Sequence, residues 1–163
     1  MPPIEADRIL RALAAAEVEF IVVGGVAAVL HGAPIMTRDL DLVHSRTPEN
    51  IDRLLPVLRA LGARYRQRME FVPERSHLAS AGHQLLVTDA GLLGLLGTVA
   101  GGRGFDELRP HSVEVDLGAA LQVLVLDLET VIELKATANR DKDRAVLPEL
   151  RRTLEERRKR GLR

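Results

Sequence analysis

Two carboxylates, Asp39 and Asp41, carry most of the chemical information in this chain; they stand in the run Thr37-Arg38-Asp39-Leu40-Asp41-Leu42. In an extended strand alternate side chains share a face, so both acids point one way while Leu40 and Leu42 point into a core. Two carboxylates on one face make a magnesium site, because that ion takes one or two carboxylates and completes its shell with water and phosphate oxygens. Upstream, the apolar run Val22-Val23 leads into Gly24-Gly25, and thirteen residues separate Gly25 from Asp39. Glycines just before a helix let backbone N–H groups come close to a phosphate at the positive end of that helix. Metal and phosphate would then meet in one cleft.

The elements that must position these residues follow from the hydrophobic pattern. Ile9, Leu10, Leu13 and Ala14 recur at helical spacing within Ile4 to Glu17, predicting an amphipathic helix. Val18 to Val23 is a short β-branched run that Gly24-Gly25 ends, so it predicts a buried strand. A short helix over Val26 to Leu30 stops at His31-Gly32, and Pro34 marks the loop before the aspartate strand. Thr47 with Pro48 predicts an N-cap and first helical residue for a helix reaching Gly62, with a kink or early break at Pro56. Ala63 to Gly82 has no sustained period and reads as irregular, with a short helix near Arg75 to Ser80. Gln84 to Thr88 and Leu92 to Val99 predict a hairpin across Ala90-Gly91. Ala100 to Gly104 reads as a flexible loop, and Val113 to Leu117 and Leu121 to Leu126 as two further strands. Asp127 is the expected N-cap of a helix to about Ala138, broken at Asn139-Arg140-Asp141 before a last helix over about Arg144 to Arg158. The expected class is α/β (α+β): a mixed β-sheet with helices packed on one side and a C-terminal helix pair. One domain is expected over 1–163, with a core over about 18–126 and C-terminal helices over about 128–158.

Composition narrows the functional classes. The chain has 163 residues and no cysteine, which excludes thiol catalysis, cysteine zinc sites and disulfides and fits a reducing compartment. Aromatic residues make up 2% of the sequence, so the core must be aliphatic. Lys and Arg together number 23, as do Asp and Glu, so no global field draws the chain to nucleic acid. The start Met1-Pro2-Pro3-Ile4-Glu5 carries no basic-then-apolar signal, and no apolar run approaches the ~20 residues needed to span a bilayer. A cytoplasmic protein with no membrane partner is the expectation.

Gly24-Gly25 and Asp39-Leu40-Asp41-Leu42, in this order and at this spacing, resemble the signature of the nucleotidyltransferase superfamily, the DNA polymerase beta-like fold. His31-Gly32, Thr37-Arg38, Leu134-Lys135 and the tail Asn139-Arg140-Asp141-Lys142-Asp143 are similar to the small stand-alone bacterial members, including the nucleotidyltransferase toxins of abortive-infection systems. The resemblance implies Mg-dependent transfer of a nucleoside monophosphate from a triphosphate, ATP among them, to a hydroxyl of a tRNA, a protein or a small molecule. It implies Asp39 and Asp41 as catalytic metal ligands, and Gly24, Gly25, Arg38 and Lys135 as contacts to the nucleotide. A cognate toxin or antitoxin partner is a further implication.

Relatives carry a third carboxylate on a neighbouring strand, where this chain reads Leu93-Gly94-Leu95. With Gly94 in that position, one magnesium ion is favoured over two, and the alternative is a catalytically degenerate module that binds nucleotide or a protein partner. Asp89, Glu114 and Asp116 are the available substitutes. Arg140 and Lys142 are further candidates for the triphosphate, and Asp143 is expected to cap or pair within its turn. The basic tail Arg157 to Arg163 could attract RNA phosphates, although a solvated helix end explains the tail better, and the arginines at 64, 66, 68 and 75 allow the same RNA reading with an exposed surface explaining them equally.

Overall fold

A computed structural model describes residues 4–162. Seven strands form one mixed sheet in the order β3-β4-β5-β2-β1-β7-β6. They are β1 (Phe20–Val23), β2 (Asp39–His44), β3 (Arg64–Tyr65), β4 (His83–Thr88), β5 (Gly91–Leu96), β6 (Ser112–Asp116) and β7 (Gln122–Leu126). The helices are α1 (Ala6–Ala15), α2 (Gly24–Leu30), α3 (Pro48–Ala60), α4 (Arg75–Ala79), α5 (Phe105–Leu108), α6 (Leu128–Ala138) and α7 (Asp141–Lys159). The expected class therefore holds, down to the hairpin β4–β5 and the C-terminal helix pair.

The centre of the sheet explains the placement of the acids. β2 pairs antiparallel with β1 and parallel with β5, so Asp41 lies directly between Val23 and Gly94. Leu40 and Leu42, on the other face, are wholly buried. β1 also pairs in parallel with β7, which brings the end of the chain back to its beginning. The core is aliphatic as composition requires, with Phe20 and Phe105 its buried aromatic rings.

Several boundaries differ from the sequence reading, each for a local reason. Gly24 and Gly25 are the first two residues of α2 and not a separate turn before it. α3 runs unbroken through Pro56, because buried Ile51, Leu54, Leu55 and Leu58 hold it on the sheet despite the missing donor. The second hairpin strand stops at Leu96. Ala100–Gly102 is a short 3-10 turn within an isolated Val99–Arg103 bridge, and α5 was not anticipated. α7 begins at Asp141, three residues early, because Asp143 accepts from the Arg140 backbone N–H at 3.2 Å and caps the helix. The N-cap expectations hold: Thr47 accepts from Asn50 N and Asp127 from Thr130 N.

Asn50 fastens the far end of the central ladder. It is wholly buried, accepts from Glu19 N at 2.7 Å and donates to Glu19 O at 3.0 Å and Ser45 O at 2.7 Å, joining the entry to β1 with the exit from β2. Asn50→Ala removes the hydrogen-bond partner of Glu19 N and of Ser45 O, while Glu19 O keeps the Ser45 N–H, and each unsatisfied buried group costs ~1–3 kcal/mol. Urea unfolding should show a loss of about 3 kcal/mol with an unchanged m-value.

Candidate functional site

Asp41 occupies a notch walled by glycine. A Cβ at Gly24 would lie 3.0 Å from Asp41 Oδ2, and one at Gly94 only 2.3 Å from Asp41 Oδ1. Gly24 also sits at φ 65°, which ordinary side chains disfavour. Gly25 has a similar reason to be bare, since its Cβ would meet Thr37 Oγ1 at 2.7 Å. The glycines thus let the start of α2 close down on the aspartate strand.

Burial raises the Asp41 carboxyl above its ordinary value, and the neighbouring Asp39 charge pushes it the same way, while Arg66, Lys142 and Lys135 pull it back. Asp39 has a fixed partner: Arg66 Nη1 donates to its Oδ2 at 2.9 Å. α6 brings Lys135 to the cavity that holds the acids, and its Nζ lies 3.5 Å from Asp143 Oδ1. Asp143 is wholly buried and also receives Arg140 Nε at 2.7 Å. Burial raises the Asp143 carboxyl, but the Arg140 hydrogen bonds and the charges of Arg140 and Lys135 outweigh that and hold it below the usual range.

A cavity of about 870 Å³ gathers the candidates: Gly24, Gly25, Arg38, Asp39, Asp41 and Lys135 all line it, joined by Arg140 and Lys142. The proposed replacements for a third acid are elsewhere. Asp89 packs its carboxylate against Gly62 at the end of α3. Glu114 and Asp116 are on the edge strand β6, three strands from β2 and so roughly 14 Å away. Among the described residues no three acidic or histidine side chains cluster to hold a metal. Two carboxylates suit an ion shared with phosphate oxygens and water, and do not suit an all-protein cage.

His31 is buried with Nε2 2.8 Å from Leu126 O, a packing role away from the acids. In the basic tail, Arg157 donates to His31 O and Arg158 pairs with Glu129, while Arg163 lies outside the described residues, as do Met1 to Pro3. The contact that sequence reasoning did not connect to the site is Arg66. It lies in a segment without periodicity, and only the pairing of β3 with β4 brings it across the sheet.

The chain shares its fold with solved structures of the nucleotidyltransferase kind. One is a candidate nucleotidyltransferase, TM1012, from Thermotoga maritima, with 20% identity, a TM-score of 0.56 and coverage of 93% of this chain and 91% of that one. Another is ANT(2'')-Ia in complex with adenylyl-2''-tobramycin, with 16% identity, a TM-score of 0.61 and coverage of 91% and 87%. The solution structure of the antibiotic-resistance factor ANT(2'')-Ia aligns similarly, at 17% identity, a TM-score of 0.59 and coverage of 91% and 82%. No protein-family model and no curated protein sequence matches the chain. No helix among the described residues is long and apolar enough to cross a membrane.

Two outcomes test the notch. Between the ordinary carboxylate value and the raised value of Asp41, the folded state binds more protons than the unfolded state, so stability falls as pH rises through that window. Asp41→Asn should therefore raise the melting temperature at pH 7, and its advantage should shrink as pH falls toward the ordinary value of 3.8. Gly94→Ala forces a methyl into the space of Asp41 Oδ1; overpacking of this kind costs about 1–3 kcal/mol, readable by chemical denaturation.

Proposed function

We propose that this chain transfers a nucleoside monophosphate from a nucleoside triphosphate to a hydroxyl acceptor, with release of pyrophosphate. The observation that carries the reading is the convergence of Asp39, Asp41, Gly24 and Lys135 on one cavity within a nucleotidyltransferase fold. Asp39 and Asp41 are the residues that would hold magnesium. When bound, that ion supplies charge neutralisation to the phosphate under attack and to the leaving group. The protein's own contribution is position and charge. Gly24 and Gly25 present main-chain N–H groups without side chains in the way. Lys135 and Lys142 face the acids across the cavity and are near enough for their charges to act on Asp41, a placement suited to β and γ phosphate oxygens. Arg38, exposed on the rim, adds a further cation. Asp143 fixes Lys135 from behind, so the ammonium is held near its position before nucleotide arrives.

A tRNA end, a protein side chain and a small molecule are the acceptor classes, and the adenylyl-tobramycin bound to one structural neighbour favours the last. A second reading, a degenerate module that holds nucleotide or a toxin–antitoxin partner, draws support from Gly94 and from the Arg66–Asp39 ion pair. Incubation with magnesium, labelled triphosphates and total tRNA, lysate or aminoglycosides separates the two. Transfer of label that drops a hundredfold or more in both Asp39→Ala and Asp41→Ala is the outcome expected of the enzyme, in line with the ~10²–10³ lost when one electrostatic contact to a transition state is removed. Tight nucleotide binding without transfer favours the degenerate module, and neither binding nor transfer rejects both.

A further inference from the structure

We propose that Arg66 is a positioning residue: a built-in cation on the β4–β5 side of the carboxylate pair that weakens divalent-ion binding to the bare protein and limits the cleft to one ion. The inference rests on the nucleotidyl-transfer reading above and adds to it a residue that takes over charge balance on one side of the acids.

The geometry begins at the backbone. Arg66 N donates to Leu85 O at 3.1 Å and its Nε to Leu86 O at 3.0 Å, which ties both its backbone and its guanidinium to β4. Its Nη1 nevertheless reaches Asp39 on β2, and β5 lies between those strands. The side chain therefore crosses β5 on the face that Asp39, Leu92 and Gly94 share by register. Gly94 has no side chain to obstruct that crossing. The residue that lacks a third carboxylate and the residue that supplies a positive charge thus meet over the same strand.

This pair differs from an ordinary surface contact. The Arg66 side chain is 22% exposed, and its guanidinium is held by a main-chain carbonyl as well as by Asp39. A charge so fixed does not have to be ordered when ligand binds. With Arg66 present the three groups sum to one negative charge, where the aspartates alone carry two. A divalent ion is then attracted weakly until phosphate oxygens complete its shell. Lys135 stands on α6, which follows β7 on the β1 side of β2, whereas Arg66 reaches Asp39 from the β4 side. Arg66 Nη2 is buried and has no partner among the described residues, which leaves a donor for an oxygen that the protein does not provide.

Mn²⁺ is a suitable probe, titrated with and without a non-hydrolysable triphosphate analogue and counted by electron paramagnetic resonance. The wild-type chain should bind Mn²⁺ weakly alone and one ion per chain with the analogue. Arg66→Ala should bind Mn²⁺ about tenfold more tightly without nucleotide, because a fixed positive charge has been removed from beside the acids. Arg66→Gln, which keeps most of the side-chain volume, should show the same gain if the alanine variant folds poorly, and Arg66→Lys should restore weak binding. A purely structural role would not produce tighter binding on loss of the charge. Unchanged or weaker Mn²⁺ affinity in folded Arg66→Gln, or a second ion in the wild type with analogue bound, overturns the inference while leaving nucleotidyl transfer standing. Wild-type protein that binds neither Mn²⁺ nor the analogue overturns both.

Discussion

A carboxylate placed on the middle strand of a sheet needs room on both sides, and Asp41 obtains it from Gly24 and Gly94. The fit is close enough that a single methyl at either position would contact a carboxylate oxygen. Much of the local architecture follows from this. α2 can start at the end of β1 only because Gly24 accepts a positive φ and carries no side chain toward Asp41. β5 can pair with β2 at this register only because the residue opposite Asp41 is Gly94. Gly94 thus makes the space that the second acid occupies.

The electrostatic arrangement has the same economy. Two acids on one face repel each other, and the protein sets fixed cations around them: Arg66 against Asp39 and Lys135 across the cavity. Neither cation is free to drift. Arg66 is tied to a main-chain carbonyl of β4, and Lys135 to buried Asp143, which Arg140 also clamps. Such preorganisation is what a charge-handling site requires, because dipoles and ions that are already in place need not reorganise during a reaction.

The parts of this arrangement legible in the sequence are the parts encoded locally. Alternation at Asp39-Leu40-Asp41-Leu42, the Thr47 and Asp127 caps and the strand-ending glycines each act within a few residues, and each appears where expected. What escaped depends on distant pairing. Arg66 has no local signal, because its partner is 27 positions away and the bridge exists only once β3, β4 and β5 are assembled. Asp89, Glu114 and Asp116 looked interchangeable as acids in the sequence; strand order separates Glu114 and Asp116 from the site, and Asp89 packs against Gly62 instead. The start of α7 was misplaced because Asp143 satisfies both Arg140 and Lys135, and so works as a cap and as the support of a site lysine together.

The parallel pairing of β1 with β7 has a consequence for the order in which the molecule is made. Ile21 registers with Leu124, about a hundred positions later in the chain. Closing a loop of that size is entropically costly and comes after nearby contacts have formed. During synthesis the acid-bearing half, from β1 through β5, is complete before α6 emerges, and a nascent chain then holds Asp39 and Asp41 without the lysines that face them. Arg66 belongs to the early half, so the acids in that interval already have the cation that is bonded to Asp39.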